Sequence, residues 1–218
     1  MSPAAIVFDL DGVILASEEV WDEVRERYVR EAHGRYDANA QRAMMGMSSH
    51  EWSRFIHHEL GVARSAERIN AEVVELMIER YRRQLPLIPG AVGAVRHLAD
   101  RWPLALASSS NRPLIDVVLA LSGLAESFRA TVSSEEVGRG KPWPDVYLEA
   151  ALRLSVPAER CVAVEDSHNG IRSAKAARMA VVAIPNPSYP PDAASLAEAD
   201  LVLASVEELT PEVVATRI

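Results

Sequence analysis

Cysteine and lysine are the scarce residues of this sequence. One cysteine, Cys161, in 218 residues excludes an internal disulfide and fits a reducing compartment. Its setting, Cys161-Val162-Ala163-Val164, makes it a buried strand residue and not a nucleophile. Basic charge is also in deficit. With 23 Lys and Arg against 31 Asp and Glu, the formal net charge is −8, which argues against a nucleic-acid groove or an anionic membrane surface as partner. No apolar run reaches transmembrane length, and no signal peptide, internal repeat or low-complexity tract is read. A cytoplasmic location is expected. With 49% hydrophobic and 25% charged residues, the composition is ordinary for a globular protein, and the length allows one sizeable α/β core with a smaller insertion.

What is present begins with Asp9-Leu10-Asp11-Gly12, directly behind the apolar run Ala4-Ala5-Ile6-Val7-Phe8. That run reads as a buried strand. Two acids at its C-terminal end project where ligands of open α/β sheets bind. Carboxylates this close repel each other unless a cation or a shared proton separates their roles. Alone, the tetrapeptide reads equally well as a solvated turn. A calcium loop fits poorly, because such a loop follows a helix and carries acids at alternate positions before its glycine.

Residues 17–85 then read almost wholly as helix. Val20, Val24 and Tyr28 share a face, as do Trp52, Phe55, Ile56 and Leu60, and later Ile69, Val73, Leu76 and Tyr81. Breaks fall near His33-Gly34, Gly46–Ser49 and Gly61, and Pro86-Leu87-Ile88-Pro89-Gly90 closes the block. Beyond it helix and strand alternate, with strands expected at 104–107, 129–132, 161–164, 181–184 and 201–203 and helices at 91–101, 113–121, 144–154 and 171–177. Repeated βα units imply a mostly parallel sheet with right-handed crossovers. The expected fold is α/β: a doubly wound, mostly parallel Rossmann-like core from residues 1–14 and 86–218, with an all-helical cap, 15–85, inserted after the first strand.

In such a sheet the polar strand ends gather on one edge. They are Asp9 and Asp11, Ser108, Ser109 and Asn111, and Glu165 with Asp166; Lys141 lies in a loop before a helix. The chain has two lysines, Lys141 and Lys175, against 21 arginines. A compact charge reaching both phosphate and carboxylate suits lysine better than the wide guanidinium fork. The bland readings are a surface lysine in a Gly/Pro loop and capped helix starts at Ser108–Ser110 and Ser167. Carboxylates for a hard divalent cation beside phosphate-binding donors suit phosphoryl transfer with Mg²⁺.

These segments, taken in order, resemble the haloacid dehalogenase superfamily, in the branch with a helical cap that includes β-phosphoglucomutase- and phosphoglycolate phosphatase-like proteins. Asp9-Leu10-Asp11-Gly12-Val13 is similar to the first motif, Ala107-Ser108-Ser109-Ser110-Asn111 to the second, Gly140-Lys141-Pro142 with Pro144-Asp145 to the third, and Val164-Glu165-Asp166-Ser167 with Gly170-Ile171 to the fourth. The resemblance implies that Asp9 attacks phosphorus and becomes an aspartyl-phosphate, while Asp11 protonates the leaving oxygen and later activates water. It implies Mg²⁺ held by Asp9, the Asp11 carbonyl and Asp166, with Glu165 as a direct or water-mediated ligand, and Ser108, Ser109 and Lys141 binding phosphate. An acid at position 11 disfavours dehalogenation, since a halide leaving group needs no proton.

The cap should set the substrate, with Ser49 and His50 as candidate contacts. Mutases of the family carry an Arg where this chain has Ser49 and a His where it has Trp21, so a phosphatase of small phosphomonoesters, such as sugar phosphates, is preferred over a phosphomutase. A phospho-acceptor signalling module is a third reading, opposed by Asp11 and the helical insertion. Met44–Met47 reads as core filler, His168 as a residue on the helix face behind the metal motif, and His57 and His58 as surface. The expected partner is a small phosphorylated metabolite, with no nucleic acid and no membrane, and the chain is expected to act as a monomer or weak homodimer.

Overall fold

The apolar run near the start of the chain forms β1 (Ala5–Phe8) in the computed structural model, which describes residues 3–44 and 47–218. Five more strands follow: β2 (Leu104–Ser108), β3 (Ala130–Ser133), β4 (Cys161–Glu165), β5 (Ala180–Ala183) and β6 (Leu201–Val202). They form one sheet in the order β3-β2-β1-β4-β5-β6, and every pairing is parallel. Such a sheet is covered on both faces, so its strands are apolar at successive positions and not at alternate ones.

Side-chain alternation divides the core in two. Ile6, Phe8, Leu104, Leu106, Val162 and Val164 point to one face; Ala5, Val7, Ala105, Ala107, Ala163 and Ala183 point to the other. Between β1 and β2 come α1 (Glu18–Glu31), α2 (Ala38–Met44), α3 (Ser49–His58), α4 (Ala66–Arg83) and α5 (Ala91–Ala99). All but the short α2 carry amphipathic stripes, such as Ile69, Val73, Met77 and Tyr81 on α4. These stripes join the first face together with α6 (Arg112–Ser122). The alanine-rich second face admits α7 (Asp145–Leu154) and α8 (His168–Ala176). Short α9 (Ala193–Glu198) and α10 (Pro211–Arg217) complete the chain. Lys175, near the end of α8, pairs with Asp200 at 2.9 Å.

The chain enters and leaves the helical block at adjoining points. Ala16 N–H donates to Pro86 O at 2.8 Å and Ile88 N–H to Ile14 O at 2.9 Å. The block is more interrupted than the sequence reading has it, with non-helical stretches at 32–37 and 59–65. Helix α8 starts at His168, three residues ahead of the expected Ile171, because the Ser167 side chain caps it by accepting Gly170 N–H at 3.1 Å. Helices α9 and α10 were not anticipated. Among the described residues no helix is long and apolar enough to cross a membrane.

Strand order reverses between β1 and β4. The chain winds from β1 through β2 to β3 on one side, then restarts at β4 and winds outward through β5 to β6. A crevice opens at the carboxyl ends of strands flanking such a switch point. Asp9 follows β1 there, its N–H donating to Val164 O at 3.0 Å, and Glu165 and Asp166 end the neighbouring strand.

Candidate active site

Asp9, Asp11, Ser109, Lys141 and Asp166 line one cavity of roughly 320 Å³ at this edge. Asp11 is held at both carboxylate oxygens: Ser17 Oγ, just ahead of α1, donates to Oδ1, and Ser110 Oγ donates to Oδ2 at 2.7 Å. The turn that carries it needs Gly12, at φ +78. A Cβ on Gly12 would stand 1.8 Å from Asp166 Oδ2, so the bare glycine is also what lets Asp166 approach β1.

Lys141 is buried with its ammonium 2.6 Å from Glu165 Oε1 and 2.9 Å from Asp9 Oδ1. Its contact with Glu165 has hydrogen-bond geometry. The one with Asp9 is Coulombic, and Asp9 Oδ1 is left buried without a directed donor. Glu165 is saturated. Oε1 also accepts from Tyr147 OH at 2.6 Å, and Oε2 accepts from the N–H groups of Asp166 and Ser167 and from Ser167 Oγ. Gly170 makes room for this arrangement, since a Cβ there would lie 1.9 Å from the Glu165 carboxyl carbon.

Burial pushes the Asp9 carboxyl up to about 8; Lys141 opposes the rise, while Glu165 and Asp11 add to it. Asp166 is lifted well above the usual carboxylate range by burial, then by Glu165 and Asp9. Burial disfavours the Lys141 charge, but Asp9 and Glu165 outweigh it and raise its pKa. One ammonium therefore does not neutralise this cluster. Oxygens of Asp9, Glu165 and Asp166 lie within 4.8 Å of one another, and the Asp11 carbonyl accepts no hydrogen bond among the described residues. The undirected Asp9 oxygen, the repelling carboxylates and that free carbonyl make an all-oxygen donor set, which fits a hard divalent cation.

A family model described as haloacid dehalogenase-like hydrolase matches residues 3–178. The chain belongs to the haloacid dehalogenase-like hydrolases. It is 32% identical to a probable pseudouridine-5'-phosphatase of Drosophila melanogaster, over 94% of this chain and 91% of that protein. To hexitol phosphatase B of Escherichia coli K12 it is 33% identical, over 94% of each. The solved structure of CbbY from Rhodobacter sphaeroides in complex with phosphate superimposes with a TM-score of 0.85 at 26% identity, covering 95% of this chain and 96% of that one.

The other residues singled out in the sequence of this hydrolase are scattered. Ser108 is fully buried behind Ser109 and accepts Ser110 N–H at 3.0 Å through Oγ. Ser49 is buried and donates to Glu135 Oε1 at 3.0 Å; the same oxygen accepts from Asn111 Nδ2 at 2.6 Å. His50 is exposed on α3, away from the cavity wall. His168 is on that wall, with Nδ1 2.8 Å from Asp192 Oδ2. His57 Nδ1 lies 3.0 Å from Val62 O, and His58 is exposed. Met44 is core and Met47 half-buried; Met45 and Gly46 lie outside the described residues.

Sequence reasoning missed Glu18, Tyr147, Tyr189 and Arg25. Glu18 lines the cavity, yet an acid in a helix's first turn reads as a response to the helix dipole. Tyr189 arrives from the loop after β5 and accepts from Gln41 Nε2 of α2 at 3.1 Å, through a pairing 148 residues apart. Arg25 sits four residues after Trp21 on α1, outside the Val20–Val24–Tyr28 face, and both are buried.

Proposed function

We infer that this chain is a Mg²⁺-dependent phosphatase of small phosphorylated metabolites, sugar phosphates foremost. Its chemistry sits in a core of residues 1–14 and 86–218, beneath a helical cap of 15–85. The observation that carries the reading is a single cavity bringing Asp9, Asp11, Lys141 and Asp166 together from separate βα units. Phosphatase names among the relatives support the reaction class, and a phosphoryl-transfer centre of this composition works by positioning and charge neutralisation.

Asp9 is the nucleophile. Burial alone disfavours the Asp9 charge, which a bound cation would restore; the ionised carboxylate needs no base, and its attack on phosphorus yields an aspartyl-phosphate. Asp9, Asp166 and the Asp11 carbonyl would hold Mg²⁺, and Glu165 would reach it only by exchanging a present partner; the cation would supply charge neutralisation for the carboxylates and the phosphoryl group. Asp11, aligned by Ser17 and Ser110, gives a proton to the leaving oxygen, then takes one from the water that hydrolyses the acyl phosphate. Lys141 balances charge on Asp9 and on the phosphoryl oxygens, and Ser109 binds those oxygens at the start of the loop before α6, whereas buried Ser108, whose Oγ accepts Ser110 N–H, would reach them only by giving up that partner. The protein works in the cytoplasm as a monomer or weak homodimer.

The test is Asp9→Asn assayed for phosphate release from p-nitrophenyl phosphate with Mg²⁺. Release is expected to fall at least ~10³-fold with unchanged circular dichroism; undiminished turnover refutes the nucleophile. Supplying a hexose 1-phosphate with its bisphosphate checks the mutase alternative, and 6-phosphate formed faster than free phosphate would favour it.

A further inference from the structure

The last residues of β2 and β3, Ser108 and Ser133, are paired in the sheet, so the segments that follow them run side by side. Three consecutive residues of one segment hold four consecutive residues of the other. Ser133 Oγ donates to Ser110 O at 2.7 Å, and Ser134 Oγ donates to Ser109 O at 3.3 Å. Glu135 Oε1 accepts from Asn111 Nδ2 at 2.6 Å, and its Oε2 accepts Arg112 N–H at 3.2 Å. The held segment is the phosphate-binding loop with the first residue of α6.

Asn111 stands at the N-cap of α6, yet its side chain makes no capping bond there. Its Nδ2 donates to Glu135 and to Asn70 Oδ1 of α4, the latter at 3.1 Å, which uses both hydrogens of the amide. Its Oδ1 is left buried without a partner, a rare arrangement that calls for an explanation. The carboxylate of Glu135, from the neighbouring βα unit, caps α6 instead, at the end where the helix dipole favours negative charge. The same Oε1 accepts from the buried Ser49 Oγ at 3.0 Å, in the first turn of α3. Ser49 and Asn70 belong to the helical cap, and Asn111, Arg112 and Glu135 to the core. Glu135 therefore joins the cap directly to the loop.

We propose that Glu135 is a positioning residue that makes the order of the phosphate-binding loop depend on how Ser49 of the cap is seated. The proposal rests on the phosphatase reading above and adds a residue that does not line the catalytic cavity. With Ser49 in place, the carboxylate is fixed at both oxygens, and it fixes Asn111 and the start of α6 in turn. Without the Ser49 hydroxyl, Oε1 keeps only Asn111, and the carboxylate gains freedom to turn about its last bond. The loop donors then lose part of their fixed aim. Donors already held in place bind a phosphoryl group more tightly than mobile ones, because less ordering remains to be done on binding.

The experiment measures the dissociation constant of inorganic phosphate by titration calorimetry with Mg²⁺ present, in the wild type, Ser49→Ala, Glu135→Ala and the double variant. Hydrogen bonds to a charged group predict that Glu135→Ala weakens phosphate at least ~10-fold and Ser49→Ala about 3- to 10-fold. In the Glu135→Ala background, Ser49→Ala should change binding by less than about twofold, since the two act through one carboxylate. Glu135→Gln keeps an acceptor oxygen and should recover part of the loss. Equal effects of Ser49→Ala with and without Glu135 overturn the proposal. So does a lower melting temperature with unchanged phosphate binding, the mark of a structural role alone. Should Glu135→Ala fail to fold, Ser49→Ala decides by itself, and wild-type phosphate binding in that variant overturns the proposal. A wild type that neither binds phosphate nor hydrolyses p-nitrophenyl phosphate would defeat the phosphatase reading itself, a separate outcome.

Discussion

Replacing Gly170 with alanine sets two effects of opposite sign against each other. Gly170 is the third residue of α8, where alanine is favoured over glycine by about 1 kcal/mol on helix propensity alone. The new Cβ, however, would lie 1.9 Å from Glu165 Cδ, against the 3.4 Å at which ordinary contact begins. Glu165 must therefore move by roughly 1.5 Å, the difference between those distances. It is held by Lys141 and Tyr147 at 2.6 Å each, and breaking a buried ion pair costs about 3–5 kcal/mol. The net expectation is a loss of about 2–4 kcal/mol, or a melting temperature lower by about 5–15 °C for a chain of this size. Gly93 supplies the control. It is the third residue of α5, and nothing lies within 4 Å of its Cβ position. Gly93→Ala should raise the melting temperature by about 2–4 °C. Thermal unfolding followed by circular dichroism measures both. A Gly170→Ala protein as stable as its parent would show that Glu165 is not clamped as described.

Two further outcomes follow from the site. Mg²⁺ at about 100 times its dissociation constant should stabilise the protein by about 2.7 kcal/mol, read as a higher melting temperature than in EDTA; Asp166→Ala should lose most of the shift, and a wild type indifferent to Mg²⁺ would remove the cation from the reading. Asp11→Asn keeps the nucleophile but lacks the base for hydrolysis, so with an aryl phosphate, whose good leaving group needs little protonation, it should accumulate phosphorylated Asp9, detected by intact-protein mass spectrometry. Prompt hydrolysis in that variant would place the base elsewhere.

The sheet was legible because a parallel strand is buried on both faces and stands out as an unbroken apolar run with polar residues at its end. Phe8 followed by Asp9, and Val164 followed by Glu165 and Asp166, are such boundaries, and they also mark the crevice. Lys141 was legible through composition, since so few lysines remain elsewhere. Helix α8 began early for a local reason: His168-Asn169-Gly170 has the composition of a turn, and only the Ser167 cap and the Glu165 carboxylate above Gly170 explain a helix there. The substrate side was harder to read. Arg25 is a charged residue inside an amphipathic helix, and its burial depends on Trp52 arriving from another helix. Ser49 shows the converse, a residue placed by sequence at the substrate whose hydroxyl is engaged with Glu135.

Burying one of two lysines leaves the described surface a single lysine handle for chemistry at the bench. Lys141 keeps 4% of its side chain exposed and Lys175 keeps 32%. Since α8 runs back from the catalytic edge, Lys175 lies toward the opposite rim of the sheet. Acylation of the exposed lysine side chain should therefore place a dye or support on the side facing away from incoming substrate.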